Sequence, residues 1–87
     1  MTAARRELFR LALLRVLVAN ASRHGLSADT LVHFMPAEGF HDTQAEDITA
    51  ELLYMEAKGF AYRAPKAMSA EVITWIATDA GRLLSQR

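Results

Sequence analysis

Cysteine is absent from the 87 residues. No disulfide framework and no thiolate metal site can therefore form, even though a chain this short buries only about 60–65% of its unfolded surface and small secreted domains of that size usually rely on disulfides. Glycine and proline are scarce, with four and two positions, which excludes a collagen-like or low-complexity chain. Net charge is missing as well. Ten Lys+Arg balance ten Asp+Glu, which argues against a generic polyanion binder unless the charges are segregated along the chain. No apolar run reaches the ~18–20 residues needed to span a bilayer. The N-terminus imitates a signal peptide, with Arg5 and Arg6 before Leu11–Leu14 and Val16–Ala19, but Glu7, Arg10 and Arg15 interrupt the pattern. A buried helix in a cytoplasmic protein, without membrane contact, is the expectation. Hydrophobic residues at 52% then imply one small globular domain over residues 1–87.

The residues that are present group into helices first. Residues Ala3 to His24 contain no proline and stop at Gly25, which predicts a long first helix. Its apolar side chains do not form one stripe. Leu8, Leu11 and Val18 share a face, Phe9, Leu13, Val16 and Leu17 take the opposite half, and Leu14 fills the gap. Such a helix is either central to the fold or half of a homodimer interface, with Leu8, Leu11, Leu14 and Val18 as the dimer stripe. Ser27 caps a second helix to Met35, ended by Pro36, with Leu31, Phe34 and Met35 inward. Thr43-Gln44-Ala45-Glu46 reads as a capping box opening a third helix from Gln44 to Lys58. Ala45, Ile48, Leu52 and Met55 form its core stripe, and Gly59 ends it.

The period then changes. Phe60–Ala64 alternates and Val72–Ile76 is β-branched and aromatic, so the two read as a hairpin with its tip at 65–69. Thr78 caps a short last helix bearing Leu83 and Leu84, in which Gly81 costs up to ~1 kcal/mol relative to Ala. The fold class expected is mainly α with a β-hairpin: three helices, a two-stranded wing and a short C-terminal helix.

The stretch Ile48-x3-Leu52-x2-Met55-Glu56-Ala57-Lys58-Gly59-Phe60, followed by the hairpin and by Trp75-Ile76-Ala77-Thr78-Asp79-Ala80-Gly81-Arg82-Leu83-Leu84, resembles a winged helix-turn-helix domain of the MarR-like and PadR-like bacterial regulators. The spacing from Leu8 to Leu84 is also similar to short winged-helix proteins of Mu-like prophages. The resemblance implies a transcriptional regulator or an accessory to phage or bacterial DNA transactions. It implies that helix three is a recognition helix in the major groove of double-stranded DNA. The tip at Pro65-Lys66 would then lie near phosphates, and the first helix would dimerise.

Charge distribution qualifies that implication. Residues 1–28 hold five arginines against Glu7, a balance of +4; residues 29–57 hold seven acids and no Lys or Arg, or −7; residues 58–87 come to +3. The presumed recognition helix lies in the acidic block. Its outer positions are Gln44, Asp47, Ala50 and Glu51, and the acidic side chains among them and at Glu46 repel the phosphates that supply most DNA affinity. DNA contact is thereby confined to Arg5, Arg6 and Arg10 at the N-terminus and to Arg63 and Lys66 on the wing. The alternative is a protein-interaction module that does not read DNA, with Glu46, Ala50, Leu53, Tyr54 and Ala57 as its contact strip. Either a protein partner meets Leu53, or helix one or two covers it.

No catalytic array is expected. His24, His33 and His41 stand nine and eight positions apart, with no HxxxH or HxH pattern, and neither a nucleophile elbow nor a P-loop occurs. No enzyme activity, cofactor or metal follows from the residues. His24 is expected to complement the C-terminal end of helix one, and Trp75 to be core.

Overall fold

The computed structural model describes residues 1–65 and 71–86. The elements run α1 (Ala3–Ala19), β1 (Leu26–Ser27), α2 (Ala28–Val32), a 3-10 turn (Pro36–Glu38), α3 (Ala45–Ala57), β2 (Ala61–Arg63), β3 (Thr74–Ala77) and α4 (Asp79–Ser85). The fold is mainly helical with a small antiparallel sheet.

α1 is the central element, packed by α3, α4 and β3. Phe9, Ala12, Leu13, Leu14, Val16 and Leu17 are all buried, so its apolar circumference is used inside the chain. Leu14 therefore does not belong to a dimer stripe. It lies in the core, and a Cβ placed on Gly81 of α4 would stand 3.2 Å from its Cδ2. Leu11 and Val18 are half-buried, and only Leu8 of that stripe is exposed.

α1 also ends earlier than its composition suggests, at Ala19 rather than His24. Asn20 explains the stop. Its backbone N–H and its side-chain amide both donate to the Val16 carbonyl at 3.0 Å, closing the last turn. The chain then turns through 22–25, so His24 stands beyond the helix and not at its dipole. Gly25 has φ 72°, and a Cβ there would lie 2.8 Å from the Trp75 carbonyl oxygen and 2.9 Å from the Trp75 nitrogen. Only glycine allows so close a backbone approach. That approach creates a strand the hairpin reading lacks. β1 pairs with β3, Leu26 opposite Trp75 and Ser27 opposite Thr74, while β2 pairs with the other side of β3. The sheet is three-stranded, in the order β1-β3-β2, and not a two-stranded wing. Periodicity cannot reveal a strand two residues long.

Ser27 caps α2 as expected, accepting from Thr30 N at 3.2 Å, but the helix stops at Val32 and the 3-10 turn continues from Pro36. Leu31 and Met35 are buried and Phe34 packs partly against them. The start of α3 is shifted by one residue from the expected capping box. Gln44 is the N-cap, and the Asp47 carboxylate accepts from its backbone N–H at 2.9 Å. Thr43 instead donates its hydroxyl to the Phe40 carbonyl at 3.0 Å. Ile48, Leu52 and Met55 are buried. Gly59, at φ 82°, turns the chain from α3 toward β2.

β3 begins at Thr74, two residues after the expected start, with Val72 and Ile73 exposed before it. Trp75 is buried. Thr78 caps α4, accepting from Gly81 N at 3.0 Å and donating to the Gly59 carbonyl at 2.6 Å. Within α4, Leu84 packs partly on the core and Leu83 is exposed. No helix among the described residues is long and apolar enough to cross a membrane.

Candidate contact surface on α3 and the basic residues around it

The outer face of α3 is determined by its inner one. With Ile48, Leu52 and Met55 buried, the 100° step per residue places Glu46, Ala50, Leu53 and Ala57 on the opposite side, and all four are exposed. Tyr54 flanks them. Leu53 is 45% exposed and Tyr54 40%, so neither α1 nor α2 covers the strip. The exposure of Leu53 settles whether it is core: it is surface. Gln44 is exposed at the N-cap, and the Asp47 carboxylate is held by the cap.

Glu51 is not an outer-face residue. Its side chain is only 15% exposed and turns to α1, where it accepts from Arg10 Nε and stands 3.6 Å from Arg6 Nε. Arg10 is correspondingly enclosed. Its side chain is 16% exposed, Glu7 accepts from its Nη1 at 2.9 Å, and its guanidinium carbon lies 3.6 Å from the Tyr54 ring centroid. Burial works against the charge, but the hydrogen bond and field of Glu51, with Tyr54 and Glu7, outweigh it. The guanidinium pKa is held above its ordinary value. Arg10 is a pin between α1 and α3.

Of the other expected DNA-contact residues, Arg5 and Arg63 also have partners within the chain, as does Arg15 outside that set. Arg5 donates to the Gly39 carbonyl at 2.8 Å and lies 4.3 Å over the Phe40 ring, itself edge-on to Phe9. Arg63 Nε is 3.2 Å from Glu56, and its guanidinium stands 5.4 Å from the Trp75 centroid. Arg15 pairs with Glu38 at 3.1 Å. Lys66 lies outside the described residues. Pairs as exposed as Arg6–Glu51 and Arg63–Glu56 hold only ~0–1 kcal/mol each, so pairing alone does not keep an arginine from a phosphate. A carboxylate does stand beside Arg6, Arg10 and Arg63, where it reduces the local positive field, whereas Arg5 has only a backbone carbonyl and a ring beside it.

The segregation of charge along the chain is thus in part an internal pairing scheme. The basic first segment and Arg63 meet the acidic middle segment in space, through Arg6 and Arg10 to Glu51, Arg15 to Glu38, and Arg63 to Glu56. Complementary blocks of opposite sign are the sequence signal for this. The stacking of Arg10 on Tyr54 has no such signal, because it depends on how α1 crosses α3.

A cleft of about 330 Å³ between the starts of α1 and α3 is lined by Arg5, Phe9, Phe40, His41, Asp42 and Asp47. The Thr43 hydroxyl at its edge donates to the Phe40 carbonyl at 3.0 Å. Among the described residues no three His, Cys, Asp or Glu side chains gather closely enough to hold a metal ion. Compared with known proteins, the chain matches no family model, no curated protein and no solved structure at a significant level.

Proposed function

We propose that this chain is a protein-interaction module of the winged-helix type, which presents the outer face of α3 to a protein partner and does not read DNA. The winged-helix part is supported by the order of elements. Two helices and a short strand precede α3, and β2 and β3 follow it as an antiparallel pair. The contact role is carried by one observation. Where a DNA reader would present donors, α3 presents Glu46, Ala50, Leu53, Tyr54 and Ala57, all exposed.

The competing proposal is DNA contact through Arg5, Arg6, Arg10, Arg63 and Lys66. Fluorescence anisotropy with a labelled duplex at ~50 and ~150 mM salt separates the two, since phosphate contacts weaken steeply with salt. No saturable binding is expected at either salt. Binding at the lower salt that disappears at the higher one, and that Arg63→Ala weakens, would overturn the proposal. A photo-crosslinking side chain at Leu53 supplies the positive arm. It should yield protein adducts well above those from the same group at Asp29, an exposed residue of α2. Equal yields would remove the basis for a contact surface on α3.

A further inference from the structure

We infer that the occupant of the α3 face is a second copy of this chain, packed antiparallel about a two-fold axis. This rests on the reading of α3 as a protein contact surface and names its partner. The apolar strip lies between ends of opposite charge. Glu46 and Asp47 stand in the first turn, and Glu46 has no ion pair among the described residues. Lys58 stands at the other end, exposed, with Nζ 5.6 Å from the Tyr54 centroid and no carboxylate partner among the described residues.

Asp47 and Lys58 are separated by about 16 Å along the axis at 1.5 Å per residue. A 180° rotation about an axis perpendicular to α3, lying over its outer face at the level of Leu53, therefore brings the acidic turn of each copy to the Lys58 end of the other. Both ends are satisfied at once, as an isologous interface requires. Leu53 meets its own equivalent at the centre, and the two Tyr54 rings fall on one flank. Ala50 and Ala57 carry only methyl groups, so the two helices can approach closely. The antiparallel sense also sets the helix dipoles in opposition, whereas a parallel pairing would bring like charges together at both ends.

One 13-residue helix per copy makes a narrow interface. It falls at the small end of protein contacts, below about 1,200 Å² in total, so the dimer is weak, with a dissociation constant on the order of 100 µM.

Sedimentation equilibrium of the full chain from ~20 µM to ~1 mM spans that range and should show a monomer–dimer equilibrium. Lys58→Glu sets like charges together at both ends and should weaken the dimer about tenfold, and Glu46→Lys added to it should restore most of the loss. The absence of cysteine allows a second measurement. Leu53→Cys should oxidise to a disulfide-linked dimer under conditions that leave Asp29→Cys a monomer. Circular dichroism melts verify that each of these exposed-site variants is folded. A chain that stays monomeric at ~1 mM overturns the inference. So does a dimer indifferent to Lys58→Glu, or equal oxidation at positions 53 and 29. A monomer that also ignores duplex DNA removes only the second-copy occupant and leaves α3 for a different protein. Binding to DNA removes the contact-surface reading itself, whatever the oligomeric state.

Discussion

The Nε of Arg10 on α1 donates to the carboxylate of Glu51 on α3, joining two helices 41 positions apart in the chain. Both side chains are sheltered, at 16% and 15% exposure, and the guanidinium rests on the Tyr54 ring. Removing one partner leaves a sheltered charge without its counterion, at a cost of about 1–3 kcal/mol. For a domain of this size each 1 kcal/mol lowers Tm by about 4–8 °C. Arg10→Ala and Glu51→Ala should each produce such a fall. A double-mutant cycle should give a coupling of about 1–2 kcal/mol. The Arg15–Glu38 pair is a control, with side chains 48% and 28% exposed. Its coupling should stay below about 0.5 kcal/mol. Additivity of the Arg10 and Glu51 substitutions would show that the crossing pair contributes nothing.

Gly81 separates helix propensity from packing, because the two effects have opposite signs there. Within α4, alanine in its place would gain up to ~1 kcal/mol by propensity alone. A Cβ at position 81, however, would overlap the Phe60 carbonyl oxygen, with the carbonyl carbon at 3.0 Å and Leu14 Cδ2 at 3.2 Å. The oxygen is backbone and is fixed by its bond from Thr78 N at 3.1 Å, so it cannot move aside as a side chain would. Overpacking at ~1–3 kcal/mol or more outweighs the propensity gain. Gly81→Ala should therefore lower the denaturant midpoint, with little change in the slope of unfolding free energy against denaturant. A raised midpoint would mean that α4 shifts outward without cost.

The start of α3 yields a paired comparison. Asp47 accepts the N-cap amide of Gln44, while Glu46 projects to solvent with no cap bond. Asp47→Ala should cost about 1 kcal/mol, the usual range for losing a cap, and Glu46→Ala should stay within about 0.5 kcal/mol. Equilibrium urea unfolding of the two variants decides it. The reverse order of effects would return the cap to Thr43 and Glu46.

These particulars show which parts of the fold were legible in the sequence. Helical periodicity placed Ile48, Leu52 and Met55 inward, and the Thr78 and Ser27 caps followed from residue type, because each of those signals is local. In the sequence Gly25 signals only a stop. Its use in bringing β1 within hydrogen-bonding reach of β3 depends on where Trp75 lies in space, 50 positions away. By propensity alone Gly81 is only a weakness of α4, for the same reason, since Phe60 is what requires it. The candidate surface was half legible. A strip of Glu46, Ala50, Leu53, Tyr54 and Ala57 follows from the wheel, but its exposure depends on what else covers it. The basic residues were legible as blocks of charge, and their partners were not.

Leu52 and Leu53 are adjacent and chemically identical, one turned to the core and the other to solvent, which makes them the direct test of that surface. Leu52 is fully buried and Leu53 is 45% exposed. Truncating a buried leucine removes its transfer free energy and leaves a cavity, about 2–5 kcal/mol, a large share of the ~5–15 kcal/mol that holds a small domain together. Truncating the exposed one should change stability by no more than about 0.5 kcal/mol. Leu52→Ala should therefore melt at least about 10 °C lower than the parent chain, whereas Leu53→Ala should melt within about 3 °C of it. Both melts belong at a low protein concentration, near ~10 µM, where a weak dimer adds nothing to the stability of the monomer. At ~1 mM the order changes in one respect, because a residue in an interface then adds to stability by mass action. Leu53→Ala should lose the concentration dependence of Tm that the parent chain shows. A large destabilisation by Leu53→Ala at the low concentration would place Leu53 in the core and leave α3 without the surface on which its contact role depends.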